Sequence, residues 1–387
     1  MDLNFSPEDV AFRDKVRGFI DAELPGAVRE KLRQGRALDK DEIVDWQRCL
    51  NARGWATPSW PTEAGGPGWT AVQRHLFMNE IHSTPAPEPL SFNCTMLGPA
   101  LIAYGTDAQK ARFLARAANL DDWWAQGFSE PEAGSDLANL KTRAVRDGNH
   151  YIVNGQKMWQ GMAHWADWMF TLVRTNPDAP KKQAGITFLL IDLKSPGVTV
   201  RPIVTIDGRH EVNEVFLDDV HVPADLRVGA ENDGWTVAKY LLSNERTGIA
   251  RIGTTKRLIA RAKAMAANPE AGRSQASRVQ ILTAAAVIEA ELKALEITQL
   301  RVLAAQKPGA ADPRSSLLKI KSVELRQKAS ELLLRAAGRL AFEFAYEGQG
   351  LAPFEVASNY LTLRAASIYG GASEVQKNII ASTVLGL

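Results

Sequence analysis

The chain has 387 residues, with 46 Lys and Arg against 44 Asp and Glu, a net charge of +2 and no block of one sign. That length allows two or three domains with ample core, and the even charge argues against a nucleic-acid surface, leaving at most a local basic patch. Cys49 and Cys94 form no CxxC pair, MDLNFSPEDVAF carries acids where a signal peptide needs a basic then apolar run, and no window approaches ~18 uninterrupted apolar residues, so a cytoplasmic protein without a membrane span is expected.

Residues 1 to about 121 read as helical. Ser6, Pro7 and Asp9 make a helix start, and Val10, Val16, Phe19 and Ile20 follow at helical spacing. A second helix pattern covers Asp41–Arg53 and stops at Gly54, a loop takes Pro58–Trp69, and Gly98–Ala118 reads as two short helices with a turn. After Trp123 and Trp124 the pattern changes. Asp147-Gly148 and Asn154-Gly155 flank His150–Val153 as turn signals of a β-meander, and Trp168–Arg174, Gly185–Asp192, Val198–Val204 and Val212–Leu217 read as strands. From Gly234 the helical period returns over Trp235–Ala267, Ser277–Lys307, Ser315–Glu347 and Pro353–Leu385, four segments that suit an antiparallel bundle. The expected architecture is mainly α with a central β domain, divided at 1–121, 122–233 and 234–387.

Much chemistry is absent. There is no GxGxxG after a strand, no GxxxxGK[ST] and no GxSxG, and the six histidines include no pair at i, i+4, so nucleotide-loop, serine-hydrolase and HExxH zinc readings lose support and no metal is expected. Two features remain. The run Gly127–Asn139, GFSEPEAGSDLAN, holds Ser129, Glu130, Gly134, Ser135 and Asp136 around Pro131. Pro131 fixes its own φ and Gly134 permits unusual backbone angles, so the loop can bring N–H groups and hydroxyls to a flat polar ligand, although a solvated turn is the plainer reading of any part of it. Glu245, on a helical wheel, sits in the centre of the stripe Ala238, Leu241, Leu242, Ile249 and Ile252, with no basic residue at i±3 or i±4. Burial would raise its pKa and suit it to general-base work near neutral pH, while the alternative is an ion pair to another helix; the residues alone leave both open. Trp165 and Trp168 read as β core, whereas Trp159, directly after the Asn154-Gly155 signal, offers a planar ring to a planar ligand.

Taken together, Tyr104–Lys110, the Gly127–Asn139 loop, Asn154-Gly155-Gln156-Lys157-Met158-Trp159, Asp218–Pro223, Asn232–Trp235 and Ile368–Gln376 resemble the signature segments of the acyl-CoA dehydrogenase family of flavoproteins, with departures at Phe128 and Asn139. The resemblance implies that family's fold: an N-terminal helical domain, a middle β-barrel-like domain and a C-terminal four-helix bundle. It implies FAD as cofactor, an acyl-CoA substrate dehydrogenated to the trans-2-enoyl-CoA, and electron-transferring flavoprotein as acceptor. The family's commoner base position, after the tyrosine of the last motif, is Gly370 here, and Glu245-Arg246 fits the alternative placement on the first bundle helix. By the same likeness Phe128, Ser129, Trp159, Gly161 and Glu374 fall at the flavin, and Ser135, Arg246 and Gly370 at the substrate. Gly161 stands where a serine or threonine usually faces flavin N5.

Two expected features are missing. Ala262–Gln280 holds no RxxFG, and Glu347-Gly348-Gln349-Gly350 replaces a glycine pair. Both lie where the family completes one subunit's cofactor site from another, and members with such gaps include heteromeric dehydrogenases of pimeloyl-CoA type or for steroid side-chain CoA esters, whose large subunits Asn244–Ala250 and Tyr369-Gly370-Gly371 resemble most. A homo-oligomer or a heterotetramer with a second acyl-CoA dehydrogenase-like subunit is therefore expected. The alternatives are a flavin-binding partner subunit and a flavin monooxygenase or oxidase on the same scaffold.

Overall fold

The computed structural model describes residues 5–245, 250–268, 274–305, 313–338, 341 and 356–387, with 243–245 and 305 described by backbone alone. The first helix, α1 (Pro7–Glu23), starts as expected, with the Ser6 hydroxyl accepting from Asp9 N at 3.1 Å. It is followed by α2 (Gly26–Gln34), α3 (Lys40–Ala52), α4 (Ala71–Ser83), a wide π turn over Phe92–Leu97, α5 (Gly98–Tyr104) and α6 (Asp107–Asn119). Reciprocal side-chain caps begin three of these: Asp39 with Glu42, Thr70 with Gln73, and Thr106 with Gln109. Val16, Ile20, Trp46, Leu50, Phe77 and Ile81 form the core between α1, α3 and α4.

The eight strands are β1 (Trp124–Gly127), β2 (Arg143–Asp147), β3 (His150–Gly161), β4 (Trp168–Arg174), β5 (Ile186–Asp192), β6 (Val198–Ile203), β7 (Val212–Pro223) and β8 (Arg227–Val228). They form one sheet in the order β6-β7-β3-β2-β4-β5-β8, with β1 lying parallel to β4. The Asn154-Gly155 pair is not the expected turn. The long strand β3 runs through it as a bulge, the Asn154 amide donating to Asp219 at 2.9 Å, and a Cβ at Gly155 would lie 2.5 Å from Thr142 Oγ1. Two six-membered rings of the β core, Phe170 and Phe188, stack within 2° of parallel, and Trp168, expected in the β core, stacks on Trp124.

The helical segments after the sheet are α7 (Gly234–Glu245), α8 (Ile252–Ala267), α9 (Gln275–Ala305), α10 (Ser315–Ala337), α11 (Val356–Thr362) and α12 (Ser373–Ile380). The expected single helix Trp235–Ala267 is two, because Arg251 at φ 40° stands in the left-handed region and begins α8 afresh. The expected Pro353–Leu385 helix is likewise broken, at Gly370 (φ 64°) and Gly371 (φ 86°). The helix from Ser315 ends at Gly338, with φ 56°. Helices α8, α9 and α10 share the core of Ile259, Ala262, Leu292, Leu325 and Leu333. Helix α7 instead contributes Val237, Ala238 and Leu241 to the core of the sheet. No described helix is long and apolar enough to cross a membrane.

Candidate active site

The Gly127–Asn139 loop leaves the sheet at the end of β1. Phe128 turns its ring into the core, edge-on to Phe170 and Phe188 at 5.9 and 6.2 Å. Its role is therefore to anchor the loop. Ser129 is half-buried, its carbonyl accepts from Met158 N at 2.9 Å, and its hydroxyl has no partner among the described residues. The Glu130 carboxylate closes the turn, accepting from Lys141 N at 2.6 Å, Thr142 N at 2.9 Å and the Lys157 ammonium at 2.8 Å. Lys157 is fully enclosed and also donates to Phe128 O at 3.2 Å and Leu172 O at 2.7 Å. Burial by itself would raise the Glu130 carboxyl, but Lys157 and the two N–H donors outweigh it and hold it below the usual range. Lys157 is the residue that sequence reading missed, having placed it only within a turn motif. An inward register on β3 was the available signal.

Trp159 follows two residues later, at a second register shift between Met158 and Gln160. Its φ is +72° and it is 53% exposed. A left-handed aromatic residue costs of order 1–3 kcal/mol and persists only where its surroundings fix it. Here they do: the Gln160 amide donates to Met158 O at 2.8 Å and Ser129 O at 3.4 Å, and Asn213 donates to Gln160 O at 3.0 Å. The bulge thus turns a large indole out of the core, one residue after the Met158 N–H that donates to the Ser129 carbonyl. Gly161 ends the strand, and a Cβ there would lie 2.8 Å from Phe92 Cζ, so the ring of the π turn takes the space that a larger residue would need.

The bond from Met158 N to the Ser129 carbonyl lays the loop alongside the strand that carries Trp159 and Gly161, while Phe128 points into the core. An outward indole, a hydroxyl without a partner and the buried Gln160 Oε1, which is also without one, suit a planar ring with polar edges. FAD fits that description. The rest of the expected set is dispersed. Ser135 is exposed farther along the same loop, and Gly134, expected in an unusual conformation, does not take a left-handed φ. Gly370 lies in the left-handed turn before α12, whose first turn carries an exposed Glu374, and the fully buried Lys319 donates to the Gly371 carbonyl at 2.6 Å. Among the described residues no hydrogen bond, ion pair or ring contact joins Gly370 or Glu374 to Trp159.

Glu245 is the last residue of α7; its side chain, all of Arg246, the Glu347–Gly350 stretch and part of Ala262–Gln280 lie outside the described residues. Of the apolar stripe that the wheel suggested, Ala238 and Leu241 are buried and Leu242 is half-buried on the N-terminal side of Glu245. The helix is aimed by its start. A Cβ on Gly234 would lie 2.5 Å from the backbone of Thr187 and Phe188, so α7 leaves directly from β5.

A cavity of ≈ 650 Å³ opens between α4, the π turn with α5, and the beginning of α8. Thr95 of the π turn and Tyr240 of α7 stand in its wall, which connects it to the elements that carry Phe92 and Glu245. Cys94, buried beside it in sequence, is no nucleophile, since burial pushes its thiol up to about 12.

Comparison with known proteins follows the same outline. Residues 6–121 match the acyl-CoA dehydrogenase N-terminal domain, 125–220 the acyl-CoA dehydrogenase middle domain and 232–385 the acyl-CoA dehydrogenase C-terminal domain. The chain is 36% identical over 389 residues to acyl-CoA dehydrogenase IpdE1 of Mycobacterium tuberculosis, covering 97% of both chains. It is 31% identical over 401 residues to acyl-CoA dehydrogenase FadE26 of the same organism, covering 100% of this chain and 99% of that one. Among solved structures, the ChsE4-ChsE5 complex from Mycobacterium tuberculosis superposes with a TM-score of 0.85 at 30% identity, covering 100% of this chain and 99% of that chain. A steroid ACAD, Tcur3481-Tcur3483, gives 0.87 at 26% identity, with 100% and 99% covered.

Proposed function

The chain belongs to the acyl-CoA dehydrogenase family, and from that premise we propose that it converts an acyl-CoA thioester to the trans-2-enoyl-CoA, with Glu245 as the base. The substrate loses its α hydrogen as a proton to the Glu245 carboxylate and its β hydrogen as a hydride. FAD, when bound, supplies the acceptor for that hydride at flavin N5. Trp159 and the Ser129 hydroxyl hold the ring against the sheet, with Phe128 anchoring their loop, and Gly161 lets Phe92 close over the end of β3. Ser135, Arg246 and Gly370 serve the substrate and Glu374 the cofactor. The observation that carries the reading is Trp159, a strained and outward indole that the fold otherwise has no use for. Residues 1–121, 122–233 and 234–387 are taken as its domains. The protein works in the cytoplasm and hands its electrons to an electron-transferring flavoprotein.

The test is the visible spectrum of the purified chain and its bleaching by a panel of acyl-CoAs without oxygen. Glu245→Gln should keep FAD and slow bleaching by roughly 10²–10⁴-fold, the usual contribution of a positioned base. Undiminished bleaching would remove Glu245 from the mechanism. A second reading has its own support. The absent RxxFG and the exposed Val279, Leu282 and Val287 on α9 favour an oligomer, and the ChsE4-ChsE5 likeness favours a heteromer, in which an acyl-CoA dehydrogenase-like partner helps hold the FAD. A colourless chain that takes up flavin only when co-expressed with such a partner is what that reading expects.

A further inference from the structure

The residue after Trp159 is held by a chain of hydrogen bonds whose directions can all be fixed. Asn213 of β7 faces Gln160 of β3 in the sheet and has no exposed surface. Its Nδ2 lies 3.0 Å from the Gln160 carbonyl, which can only accept, so this end of the side chain is the amide nitrogen. The same Nδ2 meets His164 Nδ1 at 3.1 Å, and Oδ1 meets His210 Nε2 at 2.8 Å. A donor at Nδ2 requires a bare acceptor at His164 Nδ1, so His164 is neutral with its proton on Nε2. The acceptor Oδ1 likewise requires a proton on His210 Nε2. Asn213 thus uses both amide hydrogens and its oxygen, and one of those bonds falls on the backbone beside Trp159.

A proton added to His164 has no place in this chain. It would set an Nδ1–H against an amide hydrogen of Asn213. The amide could accept it only by turning over, which would face its oxygen to the Gln160 carbonyl and take that donor away. The surroundings favour the neutral ring. The two imidazoles lie 4.1 Å apart with their planes 30° from parallel, so charge on one repels charge on the other. Lys40, at the start of α3, donates to the Trp165 carbonyl at 2.8 Å and is a second positive neighbour of His164. Arg209 and Glu211, either side of His210, offset each other at 3.7 Å. Burial first, then His210, hold the His164 pKa below its ordinary 6.5. Trp159, at φ +72°, keeps its left-handed backbone only while its neighbours fix it. Resting on the reading of Trp159 as a flavin contact, we infer that Asn213 and His164 are positioning residues for its indole. Neutral His164 keeps the Asn213 amide on the Gln160 carbonyl and the indole turned outward, and a proton on His164 releases both.

Fluorine NMR of the full chain, with fluorotryptophan at its ten tryptophans, reads both events. Trp159→Phe and Trp165→Phe assign the two lines that matter. Trp165, its ring centroid 5.0 Å from that of His164, reports the proton, and Trp159 reports the bulge. Lowering the pH from about 8 to about 5 should move both lines with one midpoint, below the ordinary histidine value. In His164→Asn, whose amide oxygen accepts from Asn213 but takes no proton, the Trp159 line should keep its neutral position throughout. Asn213→Asp, which cannot donate to Gln160, should show it near its acid position even at about pH 8. A Trp165 line that titrates while Trp159 stays still overturns the inference without either of these variants, and so does a Trp159 transition that survives His164→Asn. Where FAD is bound, its dissociation constant should rise about 10-fold over the same transition, and less than about 2-fold in His164→Asn, since one lost hydrogen bond is worth about that factor. The wider reading fails separately. If Trp159 titrates as described but FAD neither binds nor shifts its line, the flavin contact is lost and the positioning is kept; FAD that shifts a Trp159 line insensitive to pH has the opposite meaning.

Discussion

Lys157 has no exposed surface, yet it carries a full charge into the β core, where Glu130 Oε1 lies 2.8 Å away. The pair joins the start of the Gly127–Asn139 loop to the strand that ends in Trp159 and Gly161, so it sets the spacing of the proposed flavin face. Removing one partner of such a pair strands the other charge and costs about 3–5 kcal/mol, whereas replacing both by neutral groups of similar shape costs far less. Glu130→Gln should therefore lower the urea midpoint strongly and release FAD, and Glu130→Gln with Lys157→Met should regain much of the stability. Equal stability of Glu130→Gln and the unmutated protein would show the pair to be incidental. The Phe92–Gly161 contact belongs at the same scale: a phenyl ring 2.8 Å from where a Cβ would stand leaves no room at Gly161 for a hydroxyl-bearing side chain.

At the scale of elements, α7 is the lever. Its 12 residues span roughly 17 Å at the α-helical rise, with Gly234 against β5 at one end and Glu245 at the other. Its inner face, Val237, Ala238 and Leu241, is packed into the sheet's core, so the helix cannot tilt without opening that core. Gly234→Ala would push a methyl group into the Thr187–Phe188 backbone, at an overpacking cost of about 1–3 kcal/mol. Expected are a lower unfolding midpoint and slower flavin bleaching in protein that still holds FAD. Unchanged bleaching would mean that the aim of α7 does not control the base.

At the scale of the whole molecule, a partly buried ionic contact ties the N-terminal helices to α8. His82 Nε2 meets Glu88 at 2.9 Å, and Arg251, the residue before α8, pairs with the same carboxylate. Burial would raise Glu88, but Arg251, His82 and Arg326 outweigh it and bring it down from 4.5 to about 2. Burial lowers His82 below its ordinary 6.5, with Glu88 opposing. Both groups bind protons more readily when unfolded, so both contribute stability that falls with pH. The His82 part is present above about 6.5 and is lost as pH drops through its lower folded value; the Glu88 part is present above about 4.5 and lost as pH falls toward 2. Stability measured by urea titration should decline steadily over that acid range. Glu88→Gln should be less stable at neutral pH and show a flatter decline between pH 4.5 and 2. Parallel acid limbs for the two proteins would count against this account.

Much of the architecture was legible in the sequence because its signals are local. Helix starts at Ser6 and Thr106, the strands Trp168–Arg174 and Val212–Leu217, and the turn from helix to sheet at Trp123 depend on residues within a few positions of one another. The family likeness came the same way, from short ordered segments such as Gly127–Asn139 and Ile368–Gln376. What the tertiary structure decided rests on contacts between distant segments. Asn154-Gly155 reads as a turn until Asp219 and Thr142 hold it as a bulge, and Trp235–Ala267 reads as one helix until Arg251 is drawn to Glu88, 163 residues earlier. Lys157 looks like an ordinary surface lysine in sequence, and only the arrival of Glu130, 27 residues before it, makes its burial affordable. The ≈ 650 Å³ cavity carried no signal at all: it exists only once α4, α5, α7 and α9 stand together, because an enclosed space is a property of an assembly and has no counterpart in the order of residues.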